Sequence, residues 1–180
     1  MKGLIINNAY NTSPTYLNQS IRLQEEFAKL KIATDIRRND FFPAIISNGN
    51  IESIVNDYDF LVYLDKDKYV PRLLEKTGLP IFNKAKCMEV CDDKMATHIA
   101  LANHGIPMPK TISGLLCYNK EKDISEETIK RITSLLNFPI IIKESYGSLG
   151  KGVYKAENLE ELEKIVEEIK CVPHLFQEFI

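Results

Sequence analysis

The chain has 180 residues, 44% of them hydrophobic, with 23 Lys and Arg against 25 Asp and Glu and a formal net charge of −2. That size and apolar content can bury a sizeable core in one domain or two small ones, and the near-neutral balance excludes a general basic field for nucleic acid or an acidic membrane. The apolar stretch after Met1-Lys2 is too short for a signal peptide's core and no run approaches a membrane span, so a soluble protein is expected. Cys87, Cys91, Cys117 and Cys171 form no C-x-x-C pair. They read as reduced thiols of a cytoplasmic protein, with Cys87 and Cys91, four residues apart, packing on a helix.

In chain order, Lys2 to Asn7 reads as a short buried strand that ends in a polar turn, Asn7 to Pro14. Leu17, Ile21, Leu23, Phe27 and Leu30 form the apolar side of an amphipathic helix, and Ile32 to Ile36 follows as a second strand. A short helix around Ile51 to Val55, a strand Phe60 to Leu64, a helix near Val70 to Lys76 and a strand Pro80 to Phe82 continue the alternation. Alternating elements of this kind predict a small parallel sheet covered by helices over residues 1–83. From Asn83 to Asp93 the alternation gives way to a polar connection, which sets the expected boundary of a second domain, residues 84–180.

In that second part Asp92 or Asp93 can cap a helix from Lys94 to Asn103, stopped by Gly105, and Ile106-Pro107-x-Pro109 must be extended. Ser125 can cap a helix through Leu136. Asn158 and Glu161 make a capping-box-like start for Leu159 to Lys170, and Leu175 to Ile180 reads as a last strand. Between these helices lies the stretch with the most chemistry. The apolar run Phe138 to Ile142 has the make-up of a buried strand, and Lys143 at its end calls for an anionic partner.

The loop that follows, Ser145-Tyr146-Gly147-Ser148-Leu149-Gly150-Lys151-Gly152, carries three glycines in six residues before Val153-Tyr154. Glycines let backbone N–H groups converge on an anion, and Ser148 and Lys151 add donors, so a polyphosphate is the expected ligand. The spacing is not that of a P-loop, since two residues separate Gly147 from Gly150 and Gly152 follows Lys151; the G-x-G-x-x-G dinucleotide pattern fails as well. Taken singly, Lys143 is a strand-end lysine and the glycines a turn. Together they make a hairpin flap able to close on a nucleotide. His98, His104 and His174 are scattered and read as surface or cap residues, with no metal site among them.

With Asp92-x-Lys94-x-x-Thr97, Gly105-Ile106-Pro107-x-Pro109-x-Thr111, Phe138-Pro139 and Gln177-Glu178-Phe179-Ile180 added, the chain resembles the ATP-grasp superfamily, and within it the RimK-like carboxylate-amine ligases. The resemblance implies a pre-ATP-grasp α/β domain followed by the α+β N-terminal lobe of an ATP-grasp domain, antiparallel sheet plus helices, with the second lobe beyond this chain. It implies that Lys94 reaches the phosphates, that Lys143 meets the α-phosphate and purine, and that Gly147, Ser148, Gly150, Lys151 and Gly152 close over the phosphates. Gln177, Glu178, Phe179 and Ile180 would lie along the purine, with backbone groups of Glu178 and Ile180 on the adenine edge.

The implied reaction is amide or peptide bond formation through an acylphosphate, with ATP, Mg²⁺ and a small carboxylate or amino acid as partners. No metal ligand is assigned within the chain, the Mg²⁺-binding acids being expected outside it, and a homo-oligomer is compatible with the reading. As an N-terminal portion, the chain is expected to bind ATP but lack the complete catalytic site. The alternatives are a non-catalytic nucleotide-binding or interaction module and, on the same fold, bicarbonate activation.

Overall fold

The computed structural model describes all of residues 1–180. The chain divides into two compact units, Met1–Glu89 and Val90–Ile180. In chain order the first holds β1 (Lys2–Asn7), α1 (Pro14–Lys29), β2 (Ala33–Arg38), β3 (Ala44–Ser47), β4 (Asn50–Ser53), β5 (Phe60–Leu64), α2 (Tyr69–Glu75) and β6 (Ile81–Phe82). A further helix, α3 (Ala85–Asp92), runs across the division. The second unit holds α4 (Lys94–Leu101), β7 (Thr111–Ser113), α5 (Glu126–Leu135), β8 (Ile140–Glu144), β9 (Val153–Ala156), α6 (Leu159–Ile169) and β10 (His174–Glu178).

In the first unit β2, β1, β5 and β6 lie side by side in that order, all parallel. The central strands are buried on both faces, which is why Leu4-Ile5-Ile6 and Phe60 to Tyr63 are near-continuous apolar runs rather than alternating ones. Ile5, Phe60 and Val62 pack with Leu23 and Phe27 of α1 on one face, while Leu4, Ile6, Leu61 and Tyr63 pack with Val55 and Leu74 on the other. Helix α1 starts where Ser13 accepts a hydrogen bond from the Tyr16 N–H, with Pro14 as its first residue.

Two segments of this unit differ from the sequence expectation. Residues around Ile51 to Val55 form no helix; they lie in and after the second strand of the β3–β4 hairpin. The turn joining its strands sets Asn48 at φ 50° and Gly49 at φ 77°, and an Asn-Gly pair with both φ positive is the favoured two-residue hairpin turn. The polar connection after β6 contains α3, the helix on which Cys87 and Cys91 were expected to pack. Cys87 and Cys91 are exposed on that helix, so their four-residue spacing marks its solvent side and not a packed one.

The second unit is built on an antiparallel sheet in the order β7, β10, β8, β9. Alternation decides its faces. Ile140 and Ile142 of β8 and Phe176 of β10 point to one side, where Ile129, Ile132 and Leu136 from the α5 region and Leu162, Val166 and Ile169 of α6 close the core. Ser125 caps α5 and Asn158 caps α6, each accepting from a backbone N–H three residues on. The last strand is shorter than expected: it stops at Glu178, leaving Phe179 56% and Ile180 88% exposed.

Candidate nucleotide site

The other side of the antiparallel sheet carries Ile141 and Lys143 from β8 and, opposite them in register, Gln177 and Leu175 from β10. Lys143 is half-buried there and makes no hydrogen bond or ion pair with the chain. The backbone that follows it is held at both sides. Glu144 N–H donates to the Gly152 carbonyl at 2.8 Å, and Ser145 N–H donates to the Pro173 carbonyl at 2.7 Å.

The loop between β8 and β9 closes with a tight turn in which Lys151 N–H donates to the Ser148 carbonyl at 3.2 Å. Leu149 at φ 58° and Gly150 at φ 76° are its two central residues. Positive φ at both positions matches the right-handed twist of the flanking strands, but for leucine it is an uncommon conformation. The tip is therefore a two-residue turn with an apolar side chain 96% exposed at its apex, where the sequence suggested a longer open nest. Below the tip, Gly152 sits at φ 68°, and a Cβ there would come within 2.8 Å of the Glu144 Cδ. Glu144 also accepts a hydrogen bond from the Tyr154 hydroxyl at 2.8 Å. A carboxylate and a glycine thus fix the hairpin base.

Lys94 opens α4 behind Asp93, whose carboxylate accepts from the Ala96 N–H at 3.0 Å. A cation in a helix's first turn is disfavoured by the helix dipole. Here the ammonium is held by the glycine loop instead, donating to the carbonyls of Glu144 at 3.0 Å and Gly147 at 2.9 Å, while the Lys94 N–H donates to the Ser145 carbonyl at 2.8 Å. In this state Lys94 secures the base of the loop, and contact with a phosphate would need that ammonium to exchange partners.

Gln177 is buried, and its amide nitrogen donates to His98 Nε2 at 2.8 Å and to Thr111 Oγ1 at 2.9 Å. Accepting at Nε2 requires a neutral imidazole, and the pKa of His98 is lowered from its ordinary value first by burial and then by the positive charge of Lys143. His98 lies one turn after Lys94 on α4, and that spacing was the available signal for a residue that sequence reading set aside as a surface histidine. His98 is half-buried, and His174 is buried rather than on the surface.

At the end of β10 the Glu178 N–H donates to the Lys110 carbonyl at 3.0 Å, and its carboxylate accepts from the Lys110 N–H at 2.7 Å. Beyond it, the Lys155 ammonium lies 4.5 Å from the centroid of the Phe179 ring. The structure thus brings Lys143 and Gln177 to one face of the sheet, with Lys94 bonded to the base of the glycine loop. Glu178 ends β10, and Phe179 and Ile180 follow it. The Ser148 hydroxyl and the Lys151 ammonium remain without partners at the loop. No group of three His, Cys, Asp or Glu side chains lies together in an arrangement that could hold a metal ion.

The hairpin with its lysine strand and glycine loop, and the third strand running past them, have the fold of an ATP-grasp N-terminal lobe. The chain superposes on the RimK-domain ATP-grasp protein of Sphaerobacter thermophilus with a TM-score of 0.67 at 19% identity, over 100% of this chain and 64% of that one. A family profile described as the RimK-like ATP-grasp domain matches residues 91–180, and the chain belongs to that family. Human N-acetylaspartylglutamate synthase A is 34% identical over 120 residues, which cover 66% of this chain and 29% of that protein. The alpha-aminoadipate–LysW ligase LysX of Saccharolobus solfataricus is 31% identical over 121 residues, 61% of this chain and 41% of that protein. The chain therefore spans well under half the length of these two relatives.

Proposed function

We propose that residues 84–180 bind ATP and that residues 1–83 are the pre-ATP-grasp domain of a ligase that joins a carboxylate to an amine. The observation that carries the reading is the uncompensated Lys143, half-buried on the sheet face beside a glycine loop whose own donors, Ser148 and Lys151, are also uncommitted. A half-buried cation without a partner favours an anionic ligand, and glycine backbone lets that ligand approach closely. Register supports the length of the site. Lys143 pairs with Leu175, three residues before Glu178, so the phosphate end and the purine end are roughly 10 Å apart along β10.

Such a site would set phosphate oxygens against Lys143 and the loop, and the purine against Glu178, Phe179 and Ile180. The chemistry follows from the substrate. A carboxylate oxygen attacks the γ-phosphorus and ADP leaves; the amine then attacks the acyl carbon, loses a proton, and phosphate leaves. The protein's part in the first step is positioning and charge neutralisation, to which these lysines and backbone N–H groups would contribute. Two relatives whose names denote a synthase and a ligase for acidic substrates support this class. The compartment proposed is the cytoplasm; the four cysteines are free and no helix is long and apolar enough to cross a membrane.

Calorimetric titration with ATP–Mg²⁺ tests the reading. Saturable binding is expected, with Lys143→Ala weakening it at least about tenfold, the order of a charge-assisted phosphate contact. Equal affinity in wild type and Lys143→Ala would contradict the assigned site. ADP release that depends on an amino acid or dicarboxylate would exclude the non-catalytic nucleotide module, whereas binding without it fits either reading.

A further inference from the structure

The opposite side of the same sheet holds a cavity of about 760 Å³, within the size range of small-molecule sites. Strand β10 separates it from the nucleotide face. His174 and Phe176 line the cavity, edge to face with ring centroids 5.2 Å apart, whereas the alternate residues Leu175 and Gln177 point the other way. The interior is apolar, with Ile112, Ile132 and Val166 among the side chains that line it.

The mouth is charged in an unusual way. Lys122, Asp123, Glu127 and Arg131 all border the cavity, and none of their side chains makes a hydrogen bond or ion pair. Glu127 and Arg131 stand four residues apart on α5, the spacing and order at which acid and base normally pair on a helix. Their neighbours at the same spacing, Glu126 and Lys130, do pair at 3.0 Å, yet Glu127 and Arg131 remain apart. Lys170, the buried cation of the region, is already satisfied by the Lys122 carbonyl and the Glu167 carboxylate, so it leaves no charge for a ligand to meet. Tyr118 also borders the cavity and is 92% exposed.

Two cations and two anions with no hydrogen-bonded partner, Asp123 also within electrostatic reach of Lys170, surround an apolar interior and match a small zwitterion with an apolar tail. We propose that this cavity is a second ligand site, separate from the nucleotide face, for a free α-amino acid with an apolar or aromatic side chain. Its carboxylate meets Arg131 and Lys122, its ammonium meets Glu127 and Asp123, and its side chain enters between Phe176 and Ile132. Occupancy draws Tyr118 down over the entrance.

The proposal does not rest on nucleotide binding, and its test leaves nucleotide out. The full chain is titrated calorimetrically with L-phenylalanine, with N-acetyl-L-phenylalanine, which lacks the ammonium, and with L-phenylalaninamide, which lacks the carboxylate. One saturable site for L-phenylalanine is expected. Each altered ligand, and each of Arg131→Gln and Glu127→Gln, should weaken it by about fivefold, the order of a solvent-facing ion pair. Both variants change exposed side chains, so folding is retained and circular dichroism checks it. No saturable binding of L-phenylalanine, L-leucine or L-tyrosine overturns the proposal, and so does binding that neither rim variant weakens.

Discussion

Lys143 carries a charge that nothing in the chain neutralises, and His98 registers it. The His98 ring is kept neutral by partial burial, by repulsion from the positive charge of Lys143, and by the Gln177 amide that Nε2 accepts. Its folded pKa therefore lies below the ordinary 6.5. The unfolded chain takes up this proton first as pH falls, so the His98 contribution to stability is present above pH 6.5 and is lost as pH drops through the folded value. Denaturant unfolding followed from neutral to acid pH should show a falling midpoint below that pH, and His98→Gln should remove part of the fall. An identical slope in the variant would sever the link from Lys143 to Gln177. Lys143 and Lys94 were legible because a lysine ending an apolar run and a lysine opening a helix both break local rules. His98 breaks none, since its role depends on β10, which lies 76 residues later in the chain at His174 and is brought over it only by the fold.

At the level of elements, the β8–β9 hairpin is set by a few positions. Gly152→Ala would combine a left-handed φ of 68° with a Cβ 2.8 Å from the Glu144 Cδ. Strain of this kind costs about 1–3 kcal/mol. The expected outcome is a lower thermal midpoint together with weaker ATP–Mg²⁺ binding; a variant unchanged in both would mean that the hairpin base is not what holds the loop. The glycines were readable in the sequence as a loop, but its tip was not, because Leu149 takes a conformation that propensity assigns to Gly or Asn. The β3–β4 hairpin was missed for a different reason. Its signal was the Asn48-Gly49 pair, and the apolar residues after it were weighted by helical spacing instead. The Cys87–Cys91 spacing pointed to a helix in the α3 segment but not to its buried side, because the helix buries only Ala85 and leaves both cysteines exposed.

Across the molecule, the change from a parallel sheet to an antiparallel one follows the change in pattern. The first unit alternates strands and helices, and its central strands are apolar throughout because both faces are covered. In the second, β8 alternates buried and half-buried residues, which leaves Lys143 on the face away from the helices. That single alternation puts the candidate nucleotide site on one side of β10 and the apolar cavity on the other. The direct test is amide hydrogen exchange of the chain with and without ATP–Mg²⁺, read residue by residue. Nucleotide should slow exchange at residues 145–152 and 178–180 while leaving β1 to β6 unchanged. Protection confined to the first unit, or no protection at a nucleotide concentration that saturates binding, would contradict the assignment of the site to the Lys143 face.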